Sequence, residues 1–313
     1  MNPYLLRRLL STIPVVLTVA VVIFVILRLA PGDPALAIAG EGASPAELAR
    51  LRAQLGLDQS IVRQFFIWLG AMARLDFGSS LYYHIPVVEL IGRRIGPTVF
   101  LAVLTLLISV PVAVFLGAAA AARQGTLVDR AVNALAVLSF SVPVFVVGYL
   151  LIWLLALKLG LLPVQGLGPA DAPFLSRLRY FVLPAVGLAF GQVALLTRVT
   201  RAAVIDALHE DYIKTALAKG ASFRRVLWLH AVRNAAVPIV TIIGLSFALL
   251  IGGVVVSETV FALPGLGKLT VDSVLARDFP VVQGLVMFFS LLYVAINLLV
   301  DLLYLALDPR IRY

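Results

Sequence analysis

Six long apolar runs separated by polar stretches dominate the hydropathy pattern of this chain. They cover residues 9–29, 98–122, 134–157, 181–197, 237–256 and 281–300. A helix needs about 20 apolar residues to cross a bilayer core, and all but the fourth run reach that length. The fourth also contains Gln192 and Thr197, polar groups that at membrane depth must face protein or water. Hydrophobic residues make up 62% of the chain and charged residues 13%, with a mean hydropathy of +1.05, so the pattern predicts an all-α integral membrane protein.

The polar stretches carry signals of their own. Pro31-Gly32-Asp33-Pro34 breaks the first helix at the outer interface. Ser44-Pro45-x-Glu47 then reads as a capping box with proline at the first helical position, and Gly56 closes that helix after about three turns. A second helix over 60–74 places Ile61, Phe65, Trp68, Leu69 and Met72 on one face. Two arginines precede the first run, as in a signal peptide, and Ala37-Ile38-Ala39 resembles a cleavage site. The run over 9–27 is nevertheless longer than the 7–15 residues of a signal core, so it is read as a retained span. Arg28, at its outer edge, reads as a snorkelling anchor.

Polar and small residues interrupt the later runs. Ser139, Ser141 and Pro143 lie in the third, where proline frees a carbonyl that a neighbour or a water-lined path must satisfy. Gly187 and Gly191 in the fourth form a small-x-x-x-small pair suited to close helix approach. Ser246 and three glycines lie in the fifth, with Glu258 just beyond it, and Asn297 and Asp301 share one face of the last helix. Ser139, Ser141, Gln192, Ser246 and Asn297 are therefore candidates to line a translocation path, and helix packing is the competing explanation for each.

One long polar stretch, residues 198–236, is amphipathic and basic. From about Ala202, the residues Ile205, Leu208, Tyr212, Ala216 and Leu217 recur at helical spacing until Gly220 stops the helix. Ser222 is placed to cap a second helix carrying Val226, Leu229 and Val232 or Arg233. Such a helix-turn-helix can be an amphipathic linker on the membrane surface. DNA binding is excluded, because a segment tethered to a bilayer at both ends cannot enter a major groove.

Charge sets the orientation. Placing the N-terminus inside puts 13 of the 25 Lys and Arg residues in short inner segments and five in the two short outer loops. This asymmetry puts both ends and the Gly220 turn in the cytoplasm. The outer loop of about 66 residues is too long to count. The absence of cysteine excludes disulfides and thiolate metal sites, and three scattered histidines form no metal-ligand cluster. The nearest approach to a phosphate-binding loop, Leu266-Gly267-Lys268-Leu269, lacks both the hydroxyl after the lysine and the earlier glycine, where Ala262 stands. No catalytic or metal-binding constellation is present, so ATP and Mg²⁺, where used, belong to other subunits.

Asp211 to Gly220, D-Y-I-K-T-A-L-A-K-G, followed by H-A-V-R-N-A-A-V-P, resembles the EAA loop of ATP-binding-cassette import permeases of the peptide subgroup. The P-G-D-P, F-A-L-P-G-L-G-K-L and D-P-R-I-R-Y segments resemble the same family, and the likeness spans nearly the whole chain. The acidic residue of the general motif is replaced by Lys214, a departure shared with the peptide, opine and nickel subgroup. The resemblance implies a type I importer permease fold with six transmembrane helices. Residues 1–30 would hold the first span, 31–96 an extracytoplasmic helical module and 97–313 a five-helix core with the coupling loop at 198–236. It implies an inner-membrane importer of dipeptides, oligopeptides or a solute such as glutathione. The partners implied are a second permease, two cytoplasmic ATPases, an extracytoplasmic solute-binding protein and membrane lipid. By the same likeness Asp211, Tyr212, Lys214, Thr215, Ala216, Lys219, Gly220, Ser222, Arg224 and Arg225 contact the ATPase, and Pro264, Gly265, Leu266 and Gly267 contact the binding protein. An ion-coupled secondary transporter or channel is the alternative, against which stands the lack of a charged pair deep in a span. A purely structural scaffold is a second.

Overall fold

The computed structural model describes residues 3–29, 35, 42–54, 56–169 and 171–307. The Pro31-Gly32-Asp33-Pro34 break, the Ala37-Ile38-Ala39 sequence and the closing Asp308 to Tyr313 signature lie outside the described residues. In chain order the helices are α1 (Pro3–Leu29), α2 (Pro45–Gln54), α3 (Ile61–Ala73), α4 (Val87–Ala122), α5 (Leu127–Ser141) and α6 (Val144–Lys158). They continue as α7 (Phe174–His209), α8 (Asp211–Ala218), α9 (Phe223–Asn234), α10 (Ala236–Val260), α11 (Leu266–Leu275) and α12 (Phe279–Leu307). No strand forms among the described residues; Ser79 and Pro86 make an isolated bridge. The chain divides into two compact units, Met1–Gly96 with Leu269–Val294 and Pro97–Lys268 with Ala295–Tyr313.

The first unit follows its local signals closely. The Ser44 N–H donates to the Glu47 carboxylate at 2.9 Å and the Glu47 N–H donates to Ser44 Oγ at 3.3 Å, completing the capping box. The Ser44 hydroxyl also donates to that carboxylate at 2.7 Å, and with the Ser44 N–H it holds the Glu47 carboxyl below its usual range. Ser60 caps α3 by accepting the Arg63 N–H. On α3, Phe65 and Trp68 pack against Phe24 of α1, with ring centroids 5.3 and 5.6 Å apart, and Met72 is buried. Ile61, expected on that face, is exposed at the helix start. The Arg28 guanidinium lies 5.2 Å from the centre of the Phe24 ring, so an aromatic face holds part of its charge. Asp278 carries no motif, yet its fully buried carboxylate accepts the Ser80 hydroxyl at 2.5 Å and the Leu81 and Tyr82 N–H groups at 3.2 Å each. It ties the 79–86 loop to the start of α12.

In the second unit, α7 packs against α5, α6 and α10. Leu101, Ile152, Leu183, Leu188, Leu250, Val254 and Phe261 form its main core. Small residues bring backbones together at selected points. A Cβ on Gly117 of α4 would lie 2.7 Å from Thr200 Cβ of α7, and one on Gly244 would lie 2.5 Å from Val300 Cγ2. The expected approach at Gly187 occurs, since a Cβ there would lie 4.0 Å from Gly148 Cα. Its partner Gly191 faces open space instead.

Two of the expected spans are altered. The third run, 134–157, is not one straight helix, because α5 and α6 meet at a bend of 100°. Val142 (ψ 123°) and Pro143 (ψ 141°) are extended, as proline's missing N–H and its clash with a helical predecessor require. The fourth run, expected to be the shortest, is part of the 36-residue α7. Hydropathy marks only its apolar window, and the helix continues through Arg198 and Arg201 to His209.

The Pro264-Gly265-Leu266-Gly267 sequence closes around a buried carboxylate. Glu258, fully buried at the end of α10, accepts the Thr98 hydroxyl at 2.6 Å and the Lys268 N–H at 3.0 Å. Thr98 Oγ1 accepts the Leu266 N–H at 2.8 Å. A Cβ on Gly265 would overlap the Glu258 carboxylate, and one on Gly267 would lie 2.5 Å from Val255 Cα. Gly265, Leu266 and Gly267 are buried and Pro264 is partly so. These residues wrap a carboxylate, and Gly265, Leu266 and Gly267 present little surface of their own. Gly265→Ala should destabilise the protein by about 1–3 kcal/mol through overpacking. Gly252→Ala, where nothing lies within 4 Å of the new Cβ, should not lower stability. Thermal unfolding of the two purified variants in detergent compares them directly.

Candidate functional site

The amphipathic stretch becomes two short helices set against the end of a long one. α7 stops at Glu210, whose extended backbone (φ −69°, ψ 150°) separates it from α8. Gly220 then takes φ +84°, a left-handed conformation that glycine adopts without penalty, and α9 follows. The expected continuous helix from Ala202 to Gly220 is thus two helices, and the Glu210 break changes which residues are buried. Val204 and Ala207 of α7, Ile213 of α8, and Val226, Leu227 and Ala231 of α9 are buried in one core with Ala121, Ala235 and Ile239. Tyr212 and Leu217, expected on the buried face, are 39% and 41% exposed. On α9 the predicted Leu229 is exposed and Leu227 is buried instead. The segment Val226–Ala231 is wound as a π-helix, whose i→i+5 register puts Val226 and Ala231 on one side. Ser222 occupies the cap position of α9, but its side chain makes no capping bond.

Docking these helices leaves a polar face outward. Asp211, Tyr212, Lys214, Thr215, Lys219, Gly220, Ser222, Arg224 and Arg225 are exposed, and Ala216 is partly so. Lys214 Nζ reaches Asp211 Oδ1 at 2.8 Å, and the Thr215 hydroxyl donates to the Asp211 carbonyl at 3.0 Å. With Lys214 and Asp211 paired, Lys219, Arg224 and Arg225 give the tip its positive charge. A depression of about 380 Å³ lies between the helices, lined by Tyr212, Thr215, Ala216, Lys219, Arg225 and His230. A basic, exposed projection of this kind presents its charge to a complementary surface.

The polar candidates within the spans are only partly brought together. Ser139 and Gln192 line a cavity of about 320 Å³ at the Pro143 break, with Phe140, Gly191, Leu195 and Gly253 among its other walls. Gln192 Nε2 donates to the Ser246 carbonyl at 2.9 Å, while its Oε1 is buried without a partner. Ser141 and Ser246 spend their hydroxyls on carbonyls of their own helices, those of Val137 and Ile243. Neither they nor Asn297, which is partly buried on α12, line this cavity.

Asp129 is a residue that periodicity could not single out. The Arg201 side chain of α7 donates from Nε to Asp129 Oδ1 at 2.5 Å and from Nη2 to Oδ2 at 2.8 Å. The Gly125 N–H and Asn133 Nδ2 also donate to the Asp129 carboxylate, at 2.9 and 2.8 Å. The one signal in the sequence is an aspartate in the first turn after Gly125-Thr126, a favourable place for a negative charge.

Long apolar helices packed on one another, with a docked helix pair projecting from them, are the architecture of an integral membrane protein. The chain belongs to the family of binding-protein-dependent transport system inner membrane components, whose model matches residues 111–313, with its N-terminal counterpart matching residues 1–102. A probable peptide ABC transporter permease protein of Sinorhizobium fredii is 47% identical over 313 residues, covering 100% of both chains. A glutathione transport system permease protein of Salmonella choleraesuis is 43% identical over 310 residues, covering 99% of each. Among solved structures, an amino acid ABC transporter chain shares the fold with a TM-score of 0.51 at 18% identity, over 69% of this chain and 93% of that one. The protein is accordingly a multi-pass permease of the inner membrane.

Removing part of the docking core tests whether it holds the projection in place. Ile213→Ala should cost about 2–5 kcal/mol at a site with little capacity to collapse. Backbone amides of α8 should then exchange much faster with deuterium while those of α10 remain protected.

Proposed function

We propose that this chain is one of two permease subunits in an ATP-driven importer of dipeptides, oligopeptides or a related small solute such as glutathione. Two cytoplasmic ATPases would drive it and an extracytoplasmic binding protein would deliver the solute. The docked pair α8 and α9 is the observation that carries this reading, since an exposed basic projection anchored to one long helix suits a partner that pushes it. The names of the full-length relatives support the solute class.

Six spans follow if α1, α4, the bent pair α5 and α6, α7, α10 and α12 each cross once. Among the described residues, α4, α7 and α12 have the length and apolarity alone, and α5 with α6 qualifies as a bent pair. α9 also passes as a pair with the first half of α10, bent by 56°. Its Arg224, Arg225 and Arg233 are exposed, so we take α10, 25 residues long, as the span and α9 as lying outside the bilayer. Both ends are then cytoplasmic, residues 1–30 hold the first span, 31–96 form an outer module and 97–313 form the five-span core. Closure of the ATPases on ATP moves the α8–α9 pair and turns the pathway outward, and release returns it; the differential contacts of ATP with open and closed ATPases shift the balance.

The test is uptake of a labelled dipeptide by proteoliposomes holding the permeases, ATPases and binding protein. ATP-dependent uptake is expected, and uptake driven by a proton gradient without ATPases would contradict the proposal. Gly220→Arg should abolish uptake while membrane insertion is retained. Its new side chain meets open space, but any L-residue at φ +84° is strained by about 1–2 kcal/mol. Gly191→Leu should also block uptake by filling the cavity, whereas Gly191→Ala, which also meets nothing within 4 Å, should be tolerated.

A further inference from the structure

The Asp129–Arg201 contact stands between the paired short helices and the cavity. Arg201 lies on α7 within a turn of Val204, which with Ala207 is buried against α8 and α9. Any displacement of the docked pair is therefore imposed on the Arg201 backbone. Its guanidinium meets the carboxylate through two parallel bonds, which fix orientation as well as distance. Asp129 is itself held, because Gly125 and Asn133 donate to the same carboxylate. From this fixed point α5 runs to Ser141 and carries Ser139 and Phe140 to the cavity wall, where the chain bends at Pro143. α7 supplies Gly191 and Gln192 to the same cavity.

We infer that the Asp129–Arg201 pair is the positioning contact that makes α5 follow α7, so that motion of the α8–α9 pair reshapes the cavity. The inference rests on the ATP-driven import reading above. Apolar packing between α5 and α7 allows the helices to slide past one another. A bidentate pair with side chains only 7% and 24% exposed resists that sliding, because separation strands a buried carboxylate. Neither residue touches solute in this scheme, and both act through the cavity wall.

The experiment counts solute molecules imported per ATP hydrolysed by the full complex in proteoliposomes, for Asp129→Asn, Arg201→Gln and the double variant. Each single change is expected to lower the ratio about tenfold, within the range typical of coupling between sites. Assembly with the ATPases and ATP hydrolysis should persist. The double variant should lose no more than either single one, as for two residues that act as a unit. Arg201→Lys, which keeps the charge but loses the fork, should fall between Arg201→Gln and the unaltered protein. An unchanged ratio in Asp129→Asn, or losses that multiply in the double variant, would overturn the inference. So would failure of the variants to assemble, which would make the pair a brace for folding. If the unaltered complex imports nothing on ATP, the transport reading itself fails.

Discussion

Two helices as short as α8 and α9 have little stability alone, since isolated helices under about 12–15 residues are marginal in water. What keeps them folded is the apolar anchor of Ile213, Val226, Leu227 and Ala231 against Val204 and Ala207 of α7. Each large aliphatic side chain buried there contributes about 1.5–3 kcal/mol. The anchor also makes the projection stiff with respect to α7, so a force applied at the tip acts on a 36-residue lever rather than on a loose loop. The exposed basic face, the ion pair at Arg201 and the cavity at Pro143 all take their position from that helix.

The apolar part of the second unit is organised by a different constraint, the need to satisfy polar groups away from water. Glu258 has its carboxylate enclosed by Thr98 and by the backbone at Gly265 and the first turn of α11, and glycine is required there because the backbone must come close. Gln192 bonds to the Ser246 carbonyl across helices. The break at Pro143 leaves a cavity wall that is irregular without being charged.

Much of this was legible in the sequence. The apolar runs, the Ser44–Glu47 capping box and the Gly220 turn are local signals, and local physics forms them. The resemblance of 211–234 to a coupling loop picked out the residues that stand exposed on the projection. What escaped were features set by tertiary contact. Periodicity cannot foresee a break at Glu210 or the π-winding at Val226–Ala231, so it buried Tyr212 and Leu229 when Ile213 and Leu227 are the buried ones. The close approach of Gly265 and Gly267 to Glu258 was not legible, because nothing local reveals a buried carboxylate beside them. Asp129 and Asp278 gain their importance from partners 72 and 198 residues away.

The central claim is that the Gly220 tip is a cytoplasmic handle gripped by a separate motor. Because the chain has no cysteine, Lys219→Cys provides a single labelling site beside that tip. Treating sealed vesicles of both orientations with a membrane-impermeant maleimide should label the residue only in inside-out vesicles, and bound ATPase subunits should protect it. Labelling from the outer side in right-side-out vesicles would contradict the account.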